Sequence, residues 1–234
     1  MSTQTINDSQ SEISLEHIRE LVKCFSPKRA DKDQAWFNVG VCLSNIDISL
    51  LDSWIEFSKK SSKFIEGKCE KIWTTLDQSY DCSITSLRYW AKIDNLKAFE
   101  VCVRNNITKD ILKSQSQTTQ DIATVVYKMY QYEYKCESIK NDIWFEFKND
   151  QWEQMYSGVL LIKKIGNEVV NEYLKLITYY NAGAAEQHDE QQEEYLQKSK
   201  NLTDVTYKLR DYDYKETILK ELTLMFYDPE FEGA

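Results

Sequence analysis

Residues that interrupt helices are scarce in this chain, which has two prolines and six glycines among its 234 residues. An all-β sandwich needs a turn about every ten residues and draws on both amino acids to make it. The scarcity therefore argues against that class and predicts long helices. Hydrophobic residues account for 42% of the chain and aromatic residues for 13%, which is enough to build a core.

Residues that bind metals or act as nucleophiles are also few or scattered. The histidines are His17 and His188, and neither lies in a recognisable motif. The cysteines form no CxxC pair, and their spacing predicts reduced, partly buried thiols rather than disulfides or a zinc site. We expect no metal and no cofactor. The six cysteines are Cys24, Cys42, Cys69, Cys82, Cys102 and Cys136.

Long apolar segments are missing as well. No run approaches the roughly 20 residues that a membrane-spanning helix needs. The N-terminus, MSTQTINDSQSEIS, is polar and has no apolar signal-peptide segment. We therefore expect a soluble protein on the cytosolic side of the cell, with a disordered tail over residues 1–13.

Motifs for phosphate or Mg²⁺ chemistry are incomplete. A P-loop requires GxxxxGK followed by Ser or Thr, but the nearest match has Ser62 at the first glycine and a cysteine at the hydroxyl position. The pair Asp31 and Asp33 suits helix capping better than metal binding. The pair Asp211 and Asp213 lies in or near a helix, where side chains two residues apart diverge. The chain itself is therefore not expected to be an enzyme.

Apolar residues in the first hundred positions recur at helical intervals and predict a small bundle. Pro27 ends the first helix, and Asp31 or Asp33 caps the second. A polar stretch at 113–121 then predicts a linker. The six predicted helices carry, in order, Ile18, Trp36, Trp54, Cys69, Trp90 and the segment from about Leu96 to Val103.

The second half begins with one more helix and then changes its periodicity. Three short aromatic and β-branched segments are separated by Asn-Asp turns at 141–142 and 149–150, which predicts an antiparallel meander. An apolar stripe over 160–177 predicts a long helix that ends at Asn181-Ala-Gly183. The segment 186–194 is polar and acidic, as in a solvated helix face.

The fold class expected is mainly α. An N-terminal small helical bundle is followed by an α+β segment with a short antiparallel meander and long helices. The corresponding domains are predicted at residues 14–112 and 120–234, and the second is expected to be truncated.

Four tryptophans, one in each of four predicted helices, stand 18, 19 and 17 residues apart. Each ring alone is most simply a core residue, but the motifs around the rings agree in order and spacing with a known domain. They resemble the primase C-terminal type-2 domain, a helical module that follows archaeo-eukaryotic-type primase domains in viral and plasmid replication proteins. The likeness covers about residues 15–105. The motifs are Trp36-x-x-Val39-Gly40-x-x-Leu43, Trp54-x-x-Phe57-Ser58-x-x-Ser61, Cys69-x-x-x-Trp73 and Ser86-Leu87-x-x-Trp90-Ala91.

The second half resembles the region that precedes the helicase core in poxvirus-type primase–helicases of large DNA viruses. The likeness lies in the meander IKNDIWFEFKNDQWEQM, the long helix after it, and the late segment KETILKELTLMFYDPEF. It implies a role in DNA replication, at a viral replication site in the host cytoplasm. The implied partners are primase and superfamily-three helicase domains and single-stranded template, with no membrane. An oligomer could form through a helicase ring that these residues lack.

Charge is distributed unevenly along the chain. Residues 1–113 hold 16 basic and 16 acidic residues, so the whole net charge of −9 lies in residues 114–234. Uniform wrapping by nucleic acid is disfavoured, but a local basic patch in the neutral half is compatible with DNA contact. An exposed Trp or Tyr beside such a patch could stack on a base. The predicted DNA-binding residues are Lys59, Lys60, Lys63, Lys68, Lys71, Arg88 and Lys92.

Two functions stay open at this stage. In the first, the chain is a non-catalytic coupling and DNA-binding region of a viral primase–helicase. In the second, it is a protein–protein adaptor that never contacts nucleic acid and works through its acidic half. Glu56, Glu66 and Glu70 interleave with the lysines, and a charge-balanced helix surface of this kind favours the second.

Overall fold

The computed structural model describes residues 14–76 and 83–231. These fall into two compact units, residues 1–102 and 103–234. The predicted disordered tail over 1–13, and Cys82, lie outside the described residues. The domain limits 14–112 and 120–234 stay a prediction.

The first unit consists of short helices, as the apolar spacing predicted. A 3-10 turn at Ile48–Leu50 separates the third helix from the fourth. The last helix continues into the second unit. The helices are α1 (Leu15–Lys23), α2 (Pro27–Asp31), α3 (Asp33–Ile46), α4 (Leu51–Ser58), α5 (Lys68–Trp73), α6 (Ile84–Asp94) and α7 (Leu96–Lys113).

Pro27 begins a helix that the sequence analysis missed. It is the first residue of α2, where the Oγ atom of Ser26 accepts a hydrogen bond from the backbone N–H of Arg29. Proline is favoured at this position because its missing N–H would have no partner inside the helix. The same residue therefore follows the end of α1 and starts α2.

The predicted capping by Asp31 or Asp33 was wrong. The residue before α3 is Lys32, and Asp33 is already inside the helix. Asp31 is the last residue of α2, and its Oδ1 atom accepts a hydrogen bond of 2.6 Å from the Oγ atom of Ser61. This contact ties α2 to the loop after α4.

Gly40 has a steric role in the first unit. A Cβ atom at this position would lie 2.5 Å from two atoms of the Trp54 indole, closer than any stable contact. The glycine on α3 therefore lets a fully buried indole from α4 lie against the helix backbone. This explains why Val39-Gly40 stands in the motif that begins at Trp36.

The second unit has the predicted mixture of helices and a small sheet, and the fold class is confirmed. Helix α7 ends at Lys113 rather than near Val103. The predicted linker 113–121 contains that end, a 3-10 turn (Ser114–Ser116) and the start of the next helix. The elements are α8 (Thr119–Tyr130), β1 (Tyr134–Ser138), β2 (Ile143–Lys148), β3 (Gln151–Met155), α9 (Val159–Lys164), α10 (Val170–Glu186), α11 (Asp189–Lys208) and α12 (Tyr212–Phe226).

The three strands form an antiparallel meander in the order β1-β2-β3. Lys148 pairs with Gln151, so Asn149 and Asp150 make a two-residue loop, with φ values of 52° and 60°. Both angles are left-handed, as a tight hairpin with the natural strand twist requires, and Asn and Asp tolerate them. The meander predicted from these turns is confirmed.

The long helix predicted after the sheet is interrupted and longer than expected. A π-helical turn at Ile165–Val169 joins α9 to α10. Helix α10 runs through Gly183 to Glu186, so the predicted end at Asn181-Ala-Gly183 was wrong. A Cβ atom at Gly183 would lie 2.4 Å from the Tyr195 ring, which shows that this glycine serves close packing of α10 on α11. Within residues 14–76 and 83–231, no helix is both long and apolar enough to cross a membrane.

We predict that Gly40→Ala destabilises the chain by about 1–3 kcal/mol, the usual cost of overpacking a core. The new methyl group would force the Trp54 indole or α3 to move. Denaturant unfolding followed by tryptophan fluorescence measures the change. Gln34→Ala, at an exposed position of the same helix, is the control and should change stability by less than about 0.5 kcal/mol. Equal effects of the two substitutions would contradict the steric role of Gly40.

Candidate nucleic-acid interface

Three indoles form a continuous stack in the first unit. The rings of Trp36 and Trp54 lie with their centroids 4.7 Å apart and 23° between their planes. Trp73 follows at 5.6 Å from Trp54, at a tilt of 37°. Trp54 and Trp73 are buried, whereas Trp36 at the end of the stack is partly exposed. Trp54 and Trp73 are therefore core residues, as expected, whereas Trp36 is also partly in contact with solvent.

Ser58 connects the stacked rings through hydrogen bonds. The indole N–H of Trp36 donates to the Oγ atom of Ser58 at 2.6 Å, and this hydroxyl donates to the carbonyl of Trp54 at 2.7 Å. In return, the indole N–H of Trp54 donates to the carbonyl of Trp36 at 3.1 Å. Each buried polar group of the pair thus has a partner, so both rings are held in one orientation.

The fourth tryptophan belongs to a separate cluster. Trp90 is buried, with the guanidinium carbon of Arg29 at 5.1 Å from its ring centroid. Arg29 donates to both carboxylate oxygens of Asp94, at 2.9 and 2.8 Å. Burial alone would raise the pKa of Asp94, but hydrogen bonds from Arg29 and Ser26 outweigh it and hold that pKa below its usual value. The cluster fixes α2 against the end of α6.

Two of the predicted DNA-binding lysines hold helix ends. The ammonium group of Lys60 donates to the carbonyls of Lys23 and Phe25, at 2.9 and 2.8 Å, after the last turn of α1. Lys63 donates to the carbonyl of Asp31 at 2.8 Å, at the end of α2. Carbonyls at helix C-termini have no partner within the helix and attract cations. Burial lowers the pKa of Lys60, which agrees with its structural position.

Three other predicted residues lie at or near the surface of the first unit. Lys59 is exposed and pairs with Glu56 at 2.5 Å. The hydrogen bond that Lys59 donates to Glu56 raises the pKa of Lys59. Lys71 is exposed on α5, and Lys92 is partly buried on α6. These side chains are compatible with contact to a polyanion.

Lys68 covers the outer end of the indole stack. Its ammonium nitrogen lies 4.8 Å from the ring centroid of Trp36. Since the Trp54 ring occupies one face of Trp36, the ammonium group lies over the other face. Lys68 itself is exposed, so on this side a cation–π contact lies between the Trp36 ring and solvent. A lysine and a partly exposed aromatic ring therefore lie together here, and their contact with DNA stays a prediction.

Arg88 is not on the surface, although it was predicted to bind DNA. Its side chain is 2% exposed, donates to the Nε2 atom of His17 at 3.1 Å and lies over the Phe99 ring at 5.2 Å. A guanidinium only donates, so Nε2 of His17 must accept and Nδ1 carries the proton, 3.6 Å from the Sγ atom of Cys102. A phosphate cannot reach this arginine in the folded unit, and Arg88 is left out of the interface proposed below.

Among the described residues, no group of three or more His, Cys, Asp or Glu side chains is arranged to hold a metal ion. The described cysteines are free and buried, more deeply than the partly buried thiols predicted, and burial raises the pKa of Cys102 to about 12. The partners of His17 and the helix-end contacts of Lys60 could not be found from sequence, because both depend on residues distant in the chain.

Comparison with known proteins confirms the predicted resemblance. Residues 18–91 match the family model Primase C terminal 2 (PriCT-2). "Putative helicase L207/L206" of Acanthamoeba polyphaga mimivirus is 34% identical over 223 residues, which cover 94% of this chain and 23% of that protein. Two more helicase-named relatives are 022R of Frog virus 3 (isolate Goorha), 26% identical over 66% of this chain, and 184R of Invertebrate iridescent virus 6, 25% identical over 70%. The chain spans between 16% and 23% of the length of these relatives.

We predict that Ser58→Ala destabilises the chain by about 1–3 kcal/mol, because it removes a buried hydroxyl and leaves the partly buried indole N–H of Trp36 without its acceptor. Denaturant unfolding gives the free energy. Ser53→Ala, at a partly exposed position of the same helix, removes the same group and is the matched control. If the two variants were equally stable, the hydroxyl of Ser58 would not be holding the stack.

A second prediction concerns His17, whose pKa is lowered from 6.5 to about 4, first by burial and then by the charge of Arg88. The unfolded chain binds this proton more tightly than the folded chain, so stability falls as the pH drops from 6.5 through 4. The loss in free energy of unfolding that is attributable to His17 is about 3 kcal/mol. NMR titration of the imidazole should give a midpoint near 4, and a midpoint at the ordinary value would contradict its burial beside Arg88.

Proposed function

We propose that this chain is the non-catalytic coupling region of a viral DNA replication primase–helicase. The premise is that residues 18–91 form a primase C-terminal type-2 domain. The family match carries the proposal, because it covers most of the first unit. Similarity to a helicase-named mimivirus protein over 94% of the chain supports it. Because the chain spans only 23% of that protein, the activity of the whole protein is part of the proposal.

The coupling role rests on what the two units could do in a longer polypeptide. The first unit would contact single-stranded template or an adjoining primase domain, and the acidic second unit would pack against a superfamily-three helicase domain. Such domains assemble as rings, so the oligomeric state would follow from the helicase. The site of action would be the cytoplasmic replication site of the virus.

A second candidate is a protein–protein adaptor without nucleic-acid contact. One structural observation favours it: Lys60 and Arg88, two of the seven predicted DNA-binding residues, are engaged in structural contacts. The net charge of −9 points the same way. The two functions differ in a measurable property, which is affinity for single-stranded DNA at low salt.

We predict that the chain binds labelled single-stranded DNA in fluorescence anisotropy, more tightly than a duplex of equal length. Affinity should fall steeply between about 50 mM and 200 mM salt, because lysine–phosphate contacts release counterions. Thermal unfolding with and without ATP–Mg²⁺ tests the non-catalytic part, and no shift is expected.

Two results together would favour the adaptor. The chain would fail to bind DNA at low salt, and it would co-elute with the part of the mimivirus relative that lies outside the matched region. A clear stabilisation by ATP–Mg²⁺ would contradict a non-catalytic chain.

A further inference from the structure

The outer face of Trp36 has the properties of a preformed stacking surface. Its ring is backed by the Trp54 indole at 4.7 Å, and its N–H is held by Ser58 at 2.6 Å. A ring fixed in this way loses little conformational freedom when a ligand stacks on it. The ammonium group of the exposed Lys68 lies over its outer face, at 4.8 Å from the ring centroid.

Two further exposed lysines are connected with the segment that leads into α3. Lys32 directly precedes α3, and its carbonyl accepts the backbone N–H of Trp36 at 2.9 Å. The ammonium group of Lys63 is held at the carbonyl of Asp31, the neighbour of Lys32. An ammonium group has three donors, so Lys63 can keep this hydrogen bond and still contact a phosphate.

The pairing of an indole face with a lysine suits a nucleic-acid strand with unpaired bases. Lys68 lies over the ring, Lys32 stands four residues before Trp36, and Lys63 is held at Asp31. The acidic residues near these lysines in sequence are Asp31, Asp33, Glu66 and Glu70, and the Asp31 carboxylate accepts a hydrogen bond from Ser61. An indole face under an ammonium group is complementary to a ligand that is flat and apolar at its bases and anionic along its backbone. Duplex DNA does not fit, because its bases are already stacked on each other.

We infer that the outer face of Trp36 stacks one unpaired base of single-stranded DNA, and that Lys68 moves from the ring to the phosphate beside that base. Lys32 and Lys63 contact the neighbouring phosphates. The inference rests on the proposed function and makes it specific, because it assigns DNA contact to Trp36, Lys68, Lys32 and Lys63 rather than to Lys60 or Arg88.

The test separates base stacking from phosphate attraction. The full chain is titrated into short labelled oligothymidine and into an abasic strand of the same length and charge, with anisotropy as readout. Stacking of one base on an aromatic ring contributes on the order of fivefold or more in affinity, so the abasic strand should bind at least about fivefold more weakly. Trp36→Leu should abolish this difference between the two strands.

Lys68→Ala keeps the experiment decisive if Trp36→Leu fails to fold. It should lower the slope of log affinity against log salt by about 0.7, the value for one lost contact to a single strand. Lys97→Ala removes the same charge at an exposed position of α7 and should leave the slope unchanged.

The outcomes distinguish the two levels of the proposal. Equal affinity of the wild-type chain for the thymidine and abasic strands would overturn the stacking role of Trp36 and leave DNA binding intact. Equal slopes for Lys68→Ala and Lys97→Ala would overturn the role of Lys68. Binding to neither strand at low salt would overturn the proposed DNA contact together with this inference.

Discussion

The stacked indoles of Trp36 and Trp54 are the constraint on which the first unit depends. Two large rings at 4.7 Å must each bury a face and satisfy an N–H group. The space for Trp54 comes from Gly40 on α3, and the hydrogen-bond partner for Trp36 comes from Ser58 on α4. The residues of the sequence motif are therefore the parts of one packed contact between two helices, which gives a physical reason for their spacing.

The lysines around this contact differ in role. Lys60 is partly buried and reaches the end of α1, so its charge helps to close the bundle, whereas Lys63 contacts the end of α2 from an exposed position. Lys68 lies on the outside of the stack, where its charge stabilises the partly exposed ring. The lysines near α4 and α5 look alike in the sequence but have different roles in the structure. Removing their charges should therefore have different effects on stability. Replacing Lys60 would affect folding, whereas replacing Lys68 would affect mainly the surface.

Local patterns predicted much of the fold, and long-range contacts account for what they missed. Helical spacing gave the bundle, and the Asn-Asp turns gave the meander because left-handed backbone at positions 149 and 150 is a local property. Gly183 was mistaken for a helix end because its role depends on Tyr195, which lies on the next helix. The two residues come close in space only when α10 and α11 pack. Arg88 was mistaken for a surface residue because its partner His17 lies 71 residues away. Of the proposed interface, the sequence predicted Lys68 and an exposed aromatic ring but did not identify Trp36 as that ring.

The central claim is that one end of the indole stack faces solvent and receives a DNA base. The most direct measurement is an NMR titration of the six indole N–H resonances with single-stranded DNA. The account predicts that the Trp36 resonance shifts most, through the ring current of a stacked base, while those of the buried Trp54 and Trp73 shift less. A largest shift at any other indole, with Trp36 unchanged at saturating DNA, would contradict it.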